Sequence, residues 1–204
     1  MFYPAVVLPA RVAAVPIDDR SDEELMRAAA SDSHAAFAVL VARYLGPLTS
    51  YCSKLTAADR AGEELAQEVL LAVWRLRRDY RPDARFRVFV FTIASNRCRN
   101  HARSWRRKLR WLGFQGDGDE LADIASSSAG QLDEVLARER QRGVRSALAR
   151  LPAQARDVLL LRFEQDLAYA EIAQITGSAE GTVRSKVFHA LRKLQSLLEE
   201  VDVP

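Results

Sequence analysis

Two short helices separated by a tight turn are predicted by the segment Gln165-Asp-Leu-Ala-Tyr-Ala-Glu-Ile-Ala-Gln-Ile-Thr-Gly-Ser-Ala-Glu-Gly-Thr-Val-Arg-Ser-Lys-Val-Phe-His-Ala-Leu-Arg-Lys-Leu194. Its apolar residues recur at three- and four-residue steps on both sides of Thr176-Gly177. Glycine accepts the positive φ of a sharp helix end, and Ser178 is the expected N-cap of the second helix. The positions predicted to be buried are Leu167, Ala170, Ile172, Ala173 and Ile175, followed by Val183, Val187, Ala190, Leu191 and Leu194.

The other face of the second helix carries cationic, polar and aromatic groups. These are Arg184, Ser185, Lys186, Phe188, His189, Arg192 and Lys193. A short helix, a glycine turn and a helix with such a face are typical of the helix-turn-helix that enters a DNA major groove. Arginine and lysine supply both phosphate contacts and guanine readout. An ordinary helix pair with a solvated basic face fits the same pattern, so this segment alone leaves both interpretations open.

Charge is unevenly distributed along the 204-residue chain, although 30 basic residues nearly balance 27 acidic ones. Residues 75–110 contain thirteen Arg or Lys and only two acids. Residues 111–137 contain no Arg or Lys and six acids. The basic stretch therefore favours a polyanionic partner, and the acidic stretch favours a solvated segment or one that mimics RNA.

The remaining pattern predicts an all-α protein with two helical domains. A capping box at Ser21-Asp-Glu-Glu24 begins a helix that runs to about Ala30. The further predicted helices are 34–45, ended by Gly46-Pro47, then 48–55, 61–77, 86–109, 132–150 and 152–164. We therefore expect a flexible arm at 1–20, a first domain at 21–110, an acidic flexible linker at 111–131 and a second domain at 132–204.

Several classes of site find no support in the composition. Cys52 and Cys98 stand alone, without CxxC spacing, which predicts two reduced thiols. The three histidines are scattered, so we expect no metal, cofactor or catalytic centre. No apolar run reaches membrane-spanning length, and the proline-containing residues 1–20 make a poor signal peptide, so no membrane insertion is expected.

A second group of motifs suits single-stranded nucleic acid. The segment Phe86-Arg-Val-Phe-Val-Phe-Thr-Ile-Ala-Ser-Asn-Arg-Cys-Arg-Asn-His-Ala-Arg103 interleaves aromatic rings with arginines and amides. Bases stack on rings, phosphates bind guanidinium groups, and asparagine can read a base edge. Core packing is a strong alternative explanation for Phe86, Phe89, Val90 and Ile93, and we expect most of these side chains to be buried.

The order and spacing of these motifs resemble those of bacterial sigma factors of the extracytoplasmic-function group, over about residues 22–198. Regions 2.2 to 2.4 of that family are matched by Glu63-Glu-Leu-Ala-Gln-Glu68, Trp74 and Phe86-Arg-Val-Phe-Val-Phe-Thr-Ile-Ala-Ser-Asn96. Regions 4.1 and 4.2 are matched by Leu148-Ala-Arg-Leu-Pro152, Val158-Leu-Leu-Leu-Arg162, Tyr169-Ala-Glu-Ile-Ala173 and Gly181-Thr-Val-Arg-Ser-Lys186.

The resemblance implies three binding surfaces. The β′ clamp helices of core RNA polymerase are expected to bind Glu64, Leu65, Gln67, Glu68, Leu71 and Trp74. The melted −10 element is expected to contact Phe86, Arg87, Phe89, Asn96, Arg97, Arg99 and Arg103. The −35 duplex is expected to contact Thr182, Arg184, Ser185, Lys186, Phe188 and His189.

The implied function is that of a cytoplasmic promoter-specificity subunit, which is not an enzyme. The resemblance also implies contact with the polymerase β flap, a linker that runs toward the RNA exit channel, and inhibition by an anti-sigma protein. A ligand-sensing transcription regulator is a second possibility, but it has no need for the basic 75–110 segment. A nucleic-acid hydrolase is a third, and no clustered carboxylates with a suitable histidine support it.

Overall fold

The computed structural model describes residues 19–81, 85–111 and 142–201, and the regular structure in these ranges is helical. The N-terminal half contains α1 (Asp22–Ala30), α2 (His34–Thr56), α3 (Asp59–Arg75) and α4 (Phe86–Trp111). The C-terminal half contains α5 (142–149), α6 (Ala153–Leu159), a π-helical turn (Leu160–Glu164), α7 (Tyr169–Thr176) and α8 (Glu180–Val201). The predicted all-α class is confirmed. The predicted arm and acidic linker fall almost entirely outside the described residues.

The capping box predicted at the start of α1 is present. The Ser21 hydroxyl accepts a hydrogen bond from the Glu24 backbone N–H at 3.2 Å, and the Ser21 N–H donates to the Glu24 carboxylate at 2.8 Å. These bonds satisfy two backbone donors that a helix start otherwise leaves unpaired. They also lower the pKa of Glu24.

α2 is one continuous helix, so the break predicted at Gly46-Pro47 was wrong. A proline inside a helix removes a backbone hydrogen bond and costs about 3 kcal/mol. Buried side chains nevertheless continue at helical spacing on both sides of it, and they are Val39, Leu40, Tyr44, Leu48, Tyr51, Cys52 and Leu55. Packing of this stripe against α1, α3 and α4 offsets the cost of Pro47.

The continuous α2 is also long and apolar enough to cross a membrane, with a mean hydropathy of 1.2. This length was not apparent from the sequence, because a break was predicted at Gly46-Pro47. In the structure the apolar stripe of α2 forms the centre of the core instead, between α1, α3 and α4. Core helices share this length and composition with membrane spans.

The C-terminal half follows the predicted helix-turn-helix with three corrections. Gly177 ends α7 with φ +64°, as expected, but α8 begins only at Glu180, so Ser178 is not its N-cap. Val183, Val187 and Ala190 are buried as predicted. The predictions for Leu191 and Ala170 were wrong, because both side chains are exposed. The Ser178 hydroxyl accepts a hydrogen bond from the Lys186 ammonium at 3.3 Å instead.

The two halves pack against each other. α7 lies along α4, while α6 and the π-helical turn lie against α2. Buried side chains from both halves form one continuous hydrophobic cluster. This packing brings the helix-turn-helix next to the basic segment of α4, which is the arrangement that determines the geometry of the site.

Candidate nucleic-acid interface

The N-terminal part of α8 presents five of its six predicted DNA-binding side chains to solvent. We call Thr182, Arg184, Ser185, Lys186, Phe188 and His189 the α8 face. Phe188 is 56% exposed, and its ring meets His189 edge-on at 5.5 Å. Only Lys186 is half-buried, since it turns toward Ser178. A solvent-exposed phenylalanine on a helix of this kind suits contact with a thymine methyl group.

Arg184 is held by two neighbours, Glu180 and Tyr169, whose contacts with it were not predicted from the sequence. Its guanidinium donates a hydrogen bond to the Glu180 carboxylate at 2.6 Å and lies over the Tyr169 ring, 4.6 Å from the centroid. The i,i+4 spacing of Glu180 and Arg184 was a readable signal for the ion pair. The stacking on Tyr169 depends on the packing of α7 against α8 and had no such signal.

The basic side chains of α4 lie on a helix that packs against α7 of the C-terminal half. We call Arg87, Phe89, Asn96, Arg97, Arg99 and Arg103 the α4 face, and all of them are at least partly exposed. Arg99 donates to the Asn96 side-chain oxygen at 2.7 Å and to the Ser95 carbonyl at 3.3 Å. Arg97 donates to the Glu68 carboxylate of α3 at 3.1 Å. Asn96 therefore already has its amide oriented by a cation that also belongs to this face.

Phe86 does not belong to the surface, although the resemblance placed it in the −10 contact set. Its side chain is 0% exposed and packs edge-on against Tyr44 at 5.0 Å and against Tyr80 at 6.1 Å. Its backbone N–H donates to the Glu23 carboxylate at 3.0 Å. Burial excludes a direct DNA contact in this conformation, so Phe86 is a core residue that positions the start of α4. Phe89 remains half-buried beside it.

The predicted polymerase-binding residues of α3 likewise include both exposed side chains and a buried one. Glu64, Gln67 and Glu68 are exposed, and we call them the α3 face. Leu65 is only 5% exposed, so it is a core residue rather than a contact in this conformation. Leu71 and Trp74 are half-buried. Trp74 packs against the His34 and Phe37 rings and lies under the Arg77 guanidinium, 4.1 Å from its centroid.

A cavity of about 200 Å³ lies where the two halves meet. Arg99 of the α4 face and Lys186 of the α8 face both line it, together with Cys98, Gln154 and Asp157. Burial raises the pKa of Asp157 above its ordinary value, against the opposing effect of hydrogen bonds from Tyr51 and Ser95. Asp157 was not predicted from the sequence, because a single acid within α6 carries no motif.

The described residues contain no group of three or more His, Cys, Asp or Glu side chains arranged to hold a metal ion. Cys52 and Cys98, which lie 46 positions apart, are both buried free thiols. The hydrogen bond to Cys52 and burial raise the pKa of Cys98. This thiol is therefore protonated and protected while the two halves stay packed.

Two family models match the chain, sigma-70 region 2 over residues 40–108 and sigma-70 region 4 over residues 141–194. The chain is 31% identical to the ECF RNA polymerase sigma factor SigL of Mycobacterium tuberculosis, over 86% of this chain and 96% of that protein. It is 28% identical to the RNA polymerase sigma factor NccH of Alcaligenes xylosoxydans xylosoxydans, over 91% of this chain and 99% of that protein.

Two solved structures share the fold. One is CnrH in complex with the cytosolic domain of CnrY, with a TM-score of 0.66 and 24% identity over 90% of this chain and 100% of that chain. The other is the sigma factor RpoE of Bartonella quintana in complex with the anti-sigma factor NepR. Its TM-score is 0.64, with 26% identity over 82% of this chain and 98% of that chain.

Proposed function

The chain belongs to the extracytoplasmic-function sigma factors of the sigma-70 family, and we propose that it directs core RNA polymerase to promoters by reading a −35 and a −10 element. In this proposal residues 21–110 form the region 2 domain and residues 132–204 the region 4 domain. Residues 111–131 are the acidic linker between them. The protein acts by binding, and in the bacterial cytoplasm, where the polymerase works.

The observation that carries the proposal is the α8 face. Its cationic, hydroxyl and aromatic groups remain exposed in a helix whose other side is buried, so they are available to a partner. A recognition helix reads bases with side chains near its N-terminus, and Arg184 lies in the second turn of α8. Arginine contacts guanine in the major groove, and the exposed Phe188 suits a thymine methyl group.

The α4 face supplies the second DNA surface. Extruding a base from the stack costs a few kcal/mol, so a melted element is stable only if a protein binds the free base and its backbone. Asn96 offers donor and acceptor groups to a base edge, and Arg97, Arg99 and Arg103 offer charge to the adjacent phosphates. This surface therefore favours the separated strand over the duplex.

The α3 face is the proposed docking surface for the β′ clamp helices. Glu64, Gln67 and Glu68 are exposed on one side of the helix, whose opposite side packs on α2. Contact with the β flap is assigned to the C-terminal half, without named residues. An anti-sigma protein is a further proposed partner, because RpoE of Bartonella quintana was solved with such a factor bound.

Runoff transcription with purified core polymerase tests the proposal. The wild-type chain should direct specific transcription without ATP hydrolysis for melting. Gln67→Ala should weaken binding to core polymerase, whereas Asn100→Ala should not, since Asn100 is an exposed amide side chain of α4 that lies outside the α3 face. Equal polymerase affinity for both folded variants would remove the α3 face from the docking surface.

A further inference from the structure

The cavity between the two halves carries more positive than negative charge. Arg99 of α4 and Lys186 of α8 both line it, and Asp157 is the acidic side chain among its lining residues. Both cations are half-buried, so water and salt screen their charges less than at an open surface. Low-dielectric walls also focus the field of such charges. The cavity therefore favours a small anion.

The Asp157 carboxylate does not pair with either cation. Its two oxygens accept hydrogen bonds from the Tyr51 and Ser95 hydroxyls, at 2.6 and 2.7 Å. Burial raises the pKa of Asp157, and these hydrogen bonds and the charges of Arg99 and Lys186 act against the rise. Neither cation has an ion-pair partner in the part of the chain that the structure describes. Both charges are therefore available to a ligand.

The Arg99 guanidinium is oriented by its own helix. Its Nε donates to the Ser95 carbonyl at 3.3 Å, and its Nη2 donates to the Asn96 side-chain oxygen at 2.7 Å. The other terminal nitrogen, Nη1, has no hydrogen-bond partner among the described residues. A guanidinium fixed on one side is pre-organised for a ligand on the other. Arg99 thus offers the cavity a directed donor.

Lys186 reaches the same cavity from the C-terminal half. Its ammonium donates to the Ser178 hydroxyl at 3.3 Å, and Ser178 is itself a lining residue. A lysine ammonium has three donors, and the described residues supply a partner for one of them. The hydrogen bond to Ser178 turns the side chain from the α8 face toward the cavity, where two donors remain for a ligand.

The size and lining of the cavity suit a phosphate group. Its volume of about 200 Å³ lies below the range of about 300–1,000 Å³ that holds drug-sized ligands, so the ligand has few heavy atoms. Guanidinium matches phosphate geometry, and an ammonium binds phosphate as a point charge. The Gln154 amide and the Thr176 and Ser178 hydroxyls add neutral hydrogen-bonding groups. A phosphate monoester carries nearly two negative charges at neutral pH, which complements two cations.

We propose that the cavity between Arg99 and Lys186 is a binding site for a small phosphate anion, either inorganic phosphate or the phosphate of a small monoester. A cavity of this size has no room for a DNA duplex, so the ligand is a free anion. Bound there, it occupies one cation from the α4 face and one from the α8 face, and it therefore competes with promoter DNA. This competition, unlike the site itself, rests on the proposed function.

The test is a phosphorus-31 NMR titration of the full-length chain with inorganic phosphate, at an ionic strength held constant with sodium chloride. Lys186→Gln and Arg99→Gln should each weaken phosphate binding about tenfold or more, since a hydrogen bond between charged groups is worth about this factor. Lys193→Gln and Arg97→Gln are the matched controls, because they remove the same charges from the same helices outside the cavity. They should change the affinity by less than about twofold.

Two results would overturn the site. One is a wild-type chain without saturable phosphate binding, and the other is an equal loss of affinity in the cavity variants and their controls, which indicates general attraction to a basic surface. Circular dichroism checks the fold of each variant. If both cavity variants unfold, Ser178→Ala decides, because it removes the hydroxyl that holds Lys186. A loss of about twofold to fivefold supports the site, and an unchanged affinity contradicts it.

Fluorescence anisotropy with a −35 duplex and a single-stranded −10 oligonucleotide separates this site from the proposed function. Phosphate that binds and displaces either DNA supports both proposals. Phosphate that binds without displacing DNA supports the site and contradicts the competition. Phosphate binding by a chain that binds neither DNA nor core polymerase contradicts the proposed function alone. DNA binding that needs Arg99 and Lys186, in a chain that does not bind free phosphate, assigns both cations to the DNA backbone and overturns the site.

Discussion

The α8 face and the α4 face hold their cations in different ways. Arg184 on the α8 face is held by Glu180, one turn away on the same helix, and by Tyr169 of the adjacent α7. On the α4 face, Arg97 pairs with Glu68 of α3, and Arg99 lines the cavity between the halves. The C-terminal half therefore builds its proposed DNA surface from its own helices alone, whereas the proposed N-terminal surface depends both on α3 of the same half and on the position of the other half.

The largest effect is expected from Gly62→Ala, which should lower the stability of the N-terminal half and leave that of the C-terminal half unchanged. A methyl group added at Gly62 would overlap the backbone of Ser53, so α2 and α3 would have to move apart. We expect destabilisation of about 1–3 kcal/mol or more, confined to the N-terminal half. Gly181→Ala is the control in the other half, because a methyl group there meets nothing within 4 Å.

Chemical denaturation measures the free energy of unfolding of both variants, and native-state hydrogen exchange shows which helices lose protection. The α4 amides should lose protection in Gly62→Ala, while the amides of α8 keep theirs. Loss of protection throughout both halves would show that the α8 face depends on the N-terminal half, and the contrast drawn above would be wrong.

Arg184→Ala should reduce transcription by the equivalent of about 1–3 kcal/mol at promoters with the preferred base, and relax preference at one −35 position. Lys193→Ala is the comparison, since this exposed side chain lies more than two turns further along α8. It should cause a smaller loss that is uniform across −35 variants, with a shallower salt dependence. The measurement is runoff transcription over single-base −35 substitutions at two salt concentrations. A uniform loss for Arg184→Ala would make it a phosphate contact.

Packing between the two halves should weaken as pH rises. Burial between the halves raises the pKa of Asp157 above its ordinary value of 3.8, so the packed halves bind the proton more tightly than separated halves would. Packing is therefore favoured at low pH and loses stability as pH increases from about 4 through the raised pKa. The ionisable groups around Asp157 are Tyr51 of α2, Cys98 and Arg99 of α4, and Lys186 of α8. Arg99 and Lys186 reduce the rise in the pKa of Asp157, so they narrow the pH range over which stability is lost.

X-ray scattering across this pH range measures the effect. The radius of gyration should increase with pH in the wild-type chain and stay nearly constant in Asp157→Asn, whose amide does not ionise. An equal dependence in both chains would assign the titration to another group.

Glu180→Gln should have the smallest effect. An i,i+4 ion pair on a helix surface contributes about 0.2–0.5 kcal/mol, and stacking on Tyr169 remains to orient Arg184. We expect less than about a threefold change in affinity for a −35 duplex, as measured by fluorescence anisotropy. A loss as large as that of Arg184→Ala would show that Glu180 positions the arginine for base reading.

The sequence predicted the helical class, the turn at Gly177 and the main buried positions of α8, because each depends on local periodicity and on one glycine. It divided α2 wrongly at Pro47, because the local cost of proline is visible in a sequence and the compensating burial is not. The prediction of Ser178 as an N-cap was wrong for a related reason, since its hydroxyl accepts a hydrogen bond from Lys186 rather than from a backbone N–H at the helix start. The surface roles of the three faces stay predictions.

Apart from the division of α2, the sequence by itself determined which of the described segments are helical and which sides of them carry charge, since both follow from the spacing of apolar and polar residues along one chain. Only the tertiary structure decided that Phe86 and Leu65 are core residues and that Asp157 meets Tyr51 and Ser95. These outcomes depend on contacts between residues up to 106 positions apart. Such contacts are set by how whole helices pack, and local periodicity carries no information about them.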